Sequence, residues 1–295
     1  MADSAGTETV SPRYGALEDW SDADLVAGIV EGQFSAIAAV QAASGQISEA
    51  IARGAERLAD GGRLIYLGAG TSGRLAALDA SELLPTFGWP AERAVALLAG
   101  GRSALEQSSE GNEDSEEEAT TSLDGIAVST QDLVVGVAAS GRTPYAVAGL
   151  AHARRAGALT IGLFNNSGAP LGEVSDVPIL LDTGPEVIAG STRMKAGTAQ
   201  KAALNCISTG LMVRLGYVYR GLMVEMRPAN AKLQDRAAKM VAQLSGDGYD
   251  KARSALDAAD GSIKVATIML LRSLDRQASM AVLDAAGGDL RKVLG

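Results

Sequence analysis

Two short segments of this 295-residue chain carry hydroxyls and glycines at a spacing suited to holding an anion. The first, "LGAGTSGRLAALD" (67–79), places Thr71-Ser72-Gly73-Arg74 within a G-x-G-x-x-G spacing made by Gly68, Gly70 and Gly73. The second, "AASGRTPYA" (138–146), repeats the theme as Ser140-Gly141-Arg142-Thr143. Backbone N–H groups at a helix start, joined by Ser and Thr hydroxyls, suit a compact phosphate dianion. The glycine spacing alone also fits a dinucleotide turn, which wants a ribose-binding acid about 20 residues further on. Here the second strand ends in "LLAGGRSAL" (97–105), with two glycines and an arginine where that acid should stand. Either loop alone could be helix capping. Two matching loops at two strand ends favour a monophosphate. A third polar segment, "PEVIAGSTRMKAGTAQK" (185–201), gathers Glu186, Ser191, Thr192, Arg193 and Lys195. It reads as a solvated helix start or as a further wall of a sugar-phosphate pocket.

Which groups could move protons is narrowed by one count. His152, in the helical stretch "YAVAGLAHARRAG", is the sole histidine and reads as a surface or packing residue. A multi-histidine metal site is thereby excluded and a Ser-His-Asp triad disfavoured. Acid–base work falls to carboxylates, Lys or Tyr.

The elements that must position these residues follow from hydrophobic patterning. Short apolar runs at 63–70, 94–101, 132–140, 158–164 and 177–182 alternate with helical or loop segments. Continuous apolarity of this kind predicts strands buried on both faces, and strand–helix–strand repetition predicts a parallel sheet. The fold expected is α/β, a three-layer αβα sandwich with a five-stranded parallel sheet. Residues 21–60 form N-terminal helices, opened by a capping box at Ser21 and Asp24. Residues 61–220 form the sugar-phosphate-binding domain, and 221–295 a C-terminal helical region punctuated by Gly246, Gly261 and Gly287-Gly288. The pattern reads as helical throughout from Lys195 onward.

Composition excludes several function classes. Hydrophobic residues are 47% and charged residues 21%, while aromatics at 4% leave a core of Ala, Leu, Val and Ile. A net charge of −9 argues against nucleic acid and against an anionic membrane surface. Runs such as "VATIMLL" are too short to span a bilayer. The polar, acidic residues 1–20 lack a basic-then-apolar signal pattern and read as a flexible leader on a cytoplasmic protein. Cys206 is the single cysteine, read as a buried, inert helix position.

The two hydroxyl loops and the 185–201 segment resemble the sugar isomerase (SIS) domain. Longer strings are more specific: "LGAGTSGRLAALDASELLPTFG", "GNEDSEEEA", "VVGVAASGRTPYAVAGL", "PEVIAGSTRMKAGTAQKAALN", "ANAKLQDRA" and "LDAAGGDLRKVL". Together, from about residue 20 to the C-terminus, they resemble the N-acetylmuramic acid 6-phosphate etherase family. The resemblance implies a carbon–oxygen lyase of cell-wall recycling that cleaves the D-lactyl ether of N-acetylmuramate 6-phosphate. It implies a homodimer with no metal or redox cofactor. By motif, the family's two catalytic glutamates fall on Glu82 and Glu113. Substrate contacts fall on Thr71, Ser72, Gly73, Ser140, Gly141, Arg142 and Thr143, with Lys232 of "ANAKL" closing on the phosphate.

Those roles make chemical sense. An ether at C3 of a sugar whose C1 opens to an aldehyde can leave by elimination, using one base and one acid. Glu82 precedes the apolar "LLPTFGW", surroundings that favour a protonated acid. Glu113 begins an acidic run near a helix N-terminus, which favours an ionised base. Two rivals stand beside this reading. One is a non-catalytic sugar-phosphate sensor such as the glucokinase regulatory protein, which is built on two SIS domains. The other is an aldose–ketose isomerase using Glu186 as base.

Overall fold

The computed structural model describes residues 6–105, 110–228 and 230–295. The five apolar runs become the five strands β1 (Leu64–Gly68), β2 (Ala94–Leu98), β3 (Leu133–Val137), β4 (Leu159–Phe164) and β5 (Val177–Leu180). They pair in parallel in the order β2-β1-β3-β4-β5. Every residue of β1, β3 and β4 is buried, whereas the edge strands β2 and β5 are only partly so. That difference explains the uninterrupted apolarity of the central runs.

Helices α1 (Asp22–Ala42), α2 (Ser44–Ala59), α3 (Gly70–Phe87), α4 (Glu116–Gly125), α5 (Pro144–Arg155), α6 (Pro170–Glu173) and α7 (Lys195–Arg214) follow in chain order. On one face Ile65, Leu67 and Val134 pack with Leu123 of α4 and Tyr145 and Leu150 of α5. The pleat turns Tyr66 to the opposite face, where its phenol donates to Asp79 Oδ2 of α3 at 2.6 Å. Asp79 Oδ1 accepts in turn from Asn205 and Ser208 of α7 at 2.7 and 3.3 Å. Burial first, and then the Asp79 carboxylate, hold the Tyr66 phenol well above its ordinary pKa, so it stays a donor.

Contacts divide the chain into two compact units. The first holds the chain up to Ala80 together with Glu92–Thr209, and therefore the whole parallel sheet. The second holds Ser81–Ala91 and Gly210–Gly295. Its core, including Met240, Val241, Leu256 and Ile268, is built by α8 (Ala231–Ser245), α9 (Tyr249–Ala258), α10 (Ile263–Arg272), α11 (Arg276–Ala285) and α12 (Leu290–Leu294). One expectation needs correcting here. The segment after Lys195 is not helical throughout, because β6 (Val218–Tyr219) and β7 (Leu222–Met223) form an antiparallel hairpin. Its turn residues Arg220 and Gly221 have φ of 49° and 76°, the paired positive values of a tight hairpin turn.

Three further differences concern the first unit. Where a flexible leader was expected, residues 6–19 form three one-turn 3-10 helices (Gly6–Glu8, Pro12–Tyr14 and Leu17–Asp19), and Thr7 is buried. Cys206 is exposed, because α7 buries Ala203, Leu204 and Ile207 and turns residue 206 outward. Finally, α1 starts as expected, with Ser21 Oγ accepting from the Asp24 N–H, but it is more apolar than expected. Among the described residues it is the one helix long and apolar enough to cross a membrane by length and composition. It buries Gly28, Gly32, Ala36 and Ala39, and leaves Val26, Val30, Phe34 and Ile37 more than half exposed.

Candidate active site

Strand order makes a crevice before any side chain is considered. From β1 the chain crosses to β2 on one side, while β3 lies on the other side of β1. In an open parallel sheet, ligands bind beyond the carboxyl ends of strands at such a switch point. The register brings the ends level, since Gly68 pairs with Leu98 on one side and Val137 on the other. Both hydroxyl loops leave from these two neighbouring ends.

The first loop is compressed onto its strand. A Cβ on Gly73 would collide with Leu98 and sit 2.7 Å from the Gly68 carbonyl, so residue 73 must be glycine. This puts Thr71 and Ser72 in the first turn of α3, where backbone N–H groups lack intrahelical acceptors. Ser72 is buried and Thr71 half-buried. Arg74 Nε donates to the Ala104 carbonyl at 2.9 Å. Gly70 has φ of +52°, and a Cβ there would lie 2.6 Å from Glu113 Oε1. The Glu113 carboxylate therefore rests against the opening residue of α3. It arrives there on a 3-10 turn, Glu110–Asp114, just ahead of α4. The helix start that Glu113 reaches is thus that of α3, not only that of the acidic run's own helix.

The second loop is built differently. The Arg142 N–H donates to Ser140 Oγ at 3.1 Å, which fixes the turn and leaves the Ser140 O–H able to donate. Gly141 packs against Ala169 and Phe164, and its carbonyl accepts from the Leu171 N–H at 3.0 Å. Thr143 occupies the N-cap position of α5 but makes no side-chain capping bond, and Pro144 follows at N1. Capping thus does not account for the Thr143 hydroxyl. The Arg142 side chain is exposed.

The third segment separates two readings of Glu186. Its two carboxylate oxygens accept the N–H groups of Lys195 (3.0 Å) and Ala196 (2.9 Å) at the start of α7, and the residue is 1% exposed. Glu186 is a buried helix cap with both oxygens accepting backbone N–H groups, a structural duty that a base for an isomerase would have to combine with proton transfer. Lys195 is also buried. Its Nζ donates to the Thr183 carbonyl at 3.1 Å, and burial pulls its pKa below the ordinary lysine value against the attraction of Glu186. This wall approaches the first loop, because a Cβ on Gly197 would sit 3.7 Å from Thr71 Cγ2.

Glu82 and Lys232 belong to the second unit, Glu82 on the α3 segment after Ser81 and Lys232 in the first turn of α8. Apolar surroundings were expected to enclose Glu82, yet its side chain is exposed and the buried neighbour is Leu83. A helix turns adjacent residues about 100° apart, so an apolar string does not bury each of its members. Residues not foreseen include Asn165 and Asn166, both buried directly after β4. Polar residues at the carboxyl end of a central parallel strand were the available signal. Among the described residues no group of three or more His, Cys, Asp or Glu is arranged to hold a metal ion.

Residues 46–154 match the family model described as the glucokinase regulatory protein N-terminal SIS domain, and residues 105–209 match that of the SIS domain. A Deinococcus radiodurans protein named N-acetylmuramic acid 6-phosphate etherase is 50% identical, covering 100% of this chain and 97% of its own length. The namesake from Mycolicibacterium smegmatis is 46% identical, covering 98% of this chain and 97% of its own length. An E. coli CFT073 protein solved in complex with A5P superposes with a TM-score of 0.50 at 16% identity. That likeness covers 68% of this chain and 97% of the other, and establishes the fold.

Proposed function

Because the chain belongs to the N-acetylmuramic acid 6-phosphate etherase family, we propose that it cleaves the D-lactyl ether of N-acetylmuramate 6-phosphate in cell-wall recycling. The products are D-lactate and N-acetylglucosamine 6-phosphate. The observation that carries this reading is the Glu113 carboxylate held against Gly70, at the mouth of a crevice flanked by two hydroxyl loops. In the open-chain sugar the C1 aldehyde acidifies the C2 proton. Glu113 removes that proton, the C3–O bond breaks, and Glu82 protonates the departing lactate oxygen. Water then adds across the C2–C3 double bond, its oxygen to C3 and a proton to C2. The direct test is D-lactate release from N-acetylmuramate 6-phosphate, coupled to a lactate dehydrogenase. Sugar-phosphate binding with no lactate release would instead favour a sensor.

Electrostatics assigns the two loops different duties. A carboxylate at Gly70 repels a dianion placed on the same helix start. The 6-phosphate therefore goes to the second loop, on the Ser140 and Thr143 hydroxyls and the first turn of α5, with Arg142 at the rim; Lys232 is a substrate contact by its family motif. Thr71 and Ser72, beside Glu113, take the sugar's own polar groups. Ser140→Ala should then raise KM by about tenfold or more with kcat little changed, matching the ~1.5–3 kcal/mol of a hydrogen bond to a charged group. Ser72→Ala should raise KM less and lower kcat. An unchanged KM in Ser140→Ala would place the phosphate elsewhere.

We place the enzyme in the cytoplasm, where phosphorylated sugars are retained by their charge, and as a homodimer. Support for pairing comes from α1, whose exposed Val26, Val30, Phe34 and Ile37 recur at helical spacing along one face. Phe34→Asp should shift the sedimenting species from dimer to monomer. A monomeric wild type that partitions with membranes would make α1 a membrane contact instead.

A further inference from the structure

We propose that Thr7 is a positioning residue for the sugar-phosphate site, holding the second hydroxyl loop and the β5–α7 wall in register from outside. The inference rests on the reading of that site given above. Thr7 lies within the polar N-terminal stretch, yet it is 1% exposed and each of its polar groups is engaged. Its N–H donates to Asn166 Oδ1 at 3.1 Å, and Asn166 Nδ2 donates to its Oγ1 at 3.0 Å. Its carbonyl accepts from the Gly190 N–H at 2.9 Å.

Each partner leads to a wall of the crevice. Asn166 Nδ2 also donates to the Ala139 carbonyl at 2.9 Å, and the Asn165 N–H reaches the same oxygen at 2.9 Å. Ala139 immediately precedes Ser140, the residue assigned to the phosphate. Gly190 lies in the turn that leads into Thr192 and the Glu186-capped start of α7, and its own carbonyl accepts from the Thr192 N–H at 2.9 Å. The neighbouring Glu8 presses on the same turn, since a Cβ on Gly190 would lie 2.7 Å from Glu8 Oε2. One buried threonine thus links two loops that leave β3 and β5, strands that each pair with β4 but not with each other. Asn165 also spans the two walls, its N–H on the Ala139 carbonyl and its Nδ2 on the Leu181 carbonyl; the Thr7 hydroxyl adds a second tie by seating Asn166, and through it the Ala139 carbonyl beside Ser140.

Thr7→Val removes the hydroxyl at nearly constant volume and leaves Asn166 Nδ2 one acceptor short. The prediction is a five- to tenfold rise in KM for N-acetylmuramate 6-phosphate with kcat within about twofold, measured well below Tm. Binding of N-acetylglucosamine 6-phosphate should weaken by a similar factor. Thr7→Ser, which keeps the hydroxyl, should restore both. If Thr7→Val does not fold, Thr7→Ala serves in its place, because it adds no bulk and keeps both backbone bonds. A folded variant with wild-type KM and product affinity overturns the proposal, even if its Tm falls, since a merely structural role would move Tm alone. Wild-type protein that releases no D-lactate would instead fail the functional reading, and the two failures are therefore distinct.

Discussion

Replacing Glu113 with Gln is expected to abolish lactate release and exchange of the C2 proton together. The substitution keeps size and polarity but removes the carboxylate that rests on the α3 N-terminus beside Gly70. Two other carboxylates of this unit are already engaged. Glu186 has both oxygens committed to the start of α7, and Glu118 Oε1 accepts from the Gly100 N–H at 2.8 Å. Loss of a general base costs roughly 10²–10⁴-fold in rate. Product binding should survive, because the hydroxyl loops are untouched. Brisk C2 exchange in Glu113→Gln would mean that another base acts.

Glu82→Gln should separate the two halves of the reaction. The side chain is exposed on α3, so the change should move stability by no more than about 0.5 kcal/mol. Lactate release should nonetheless fall by roughly 10²–10⁴-fold, because the leaving alkoxide would have no acid to protonate it. Slow C2 exchange should persist, since base removal of that proton does not require the acid. Near-normal turnover would remove Glu82 from the mechanism. Loss of exchange to the same degree as in Glu113→Gln would show that the two carboxylates do not divide the work as assigned.

How much of this was legible beforehand depended on the range of the interaction involved. The five strands were readable because β1, β3 and β4 are buried on both faces and so carry unbroken apolar runs. The hydroxyl loops were readable because each is a local motif at a strand end. What escaped was set by contacts across long stretches of chain or by the direction of single side chains. Glu113 against Gly70 joins positions 43 apart, and Thr7 with Asn166 joins positions 159 apart. Neither partner announces the other in the sequence, and the polar composition around Thr7 pointed towards a loose leader. The burial of Glu82 and of Cys206 was misjudged for one reason: apolar neighbours on a helix do not fix which way a given residue faces. The β6–β7 hairpin, two residues on each side, was too short for periodicity to register.

The central claim, elimination followed by water addition with Glu113 as base, is tested most directly by turnover in D₂O. N-acetylglucosamine 6-phosphate formed by the wild-type enzyme should carry deuterium at C2, because the proton returned to that carbon comes from solvent. Product bearing the original protium at C2 would contradict the account, since the C3–O bond would then have broken without removal of the C2 proton.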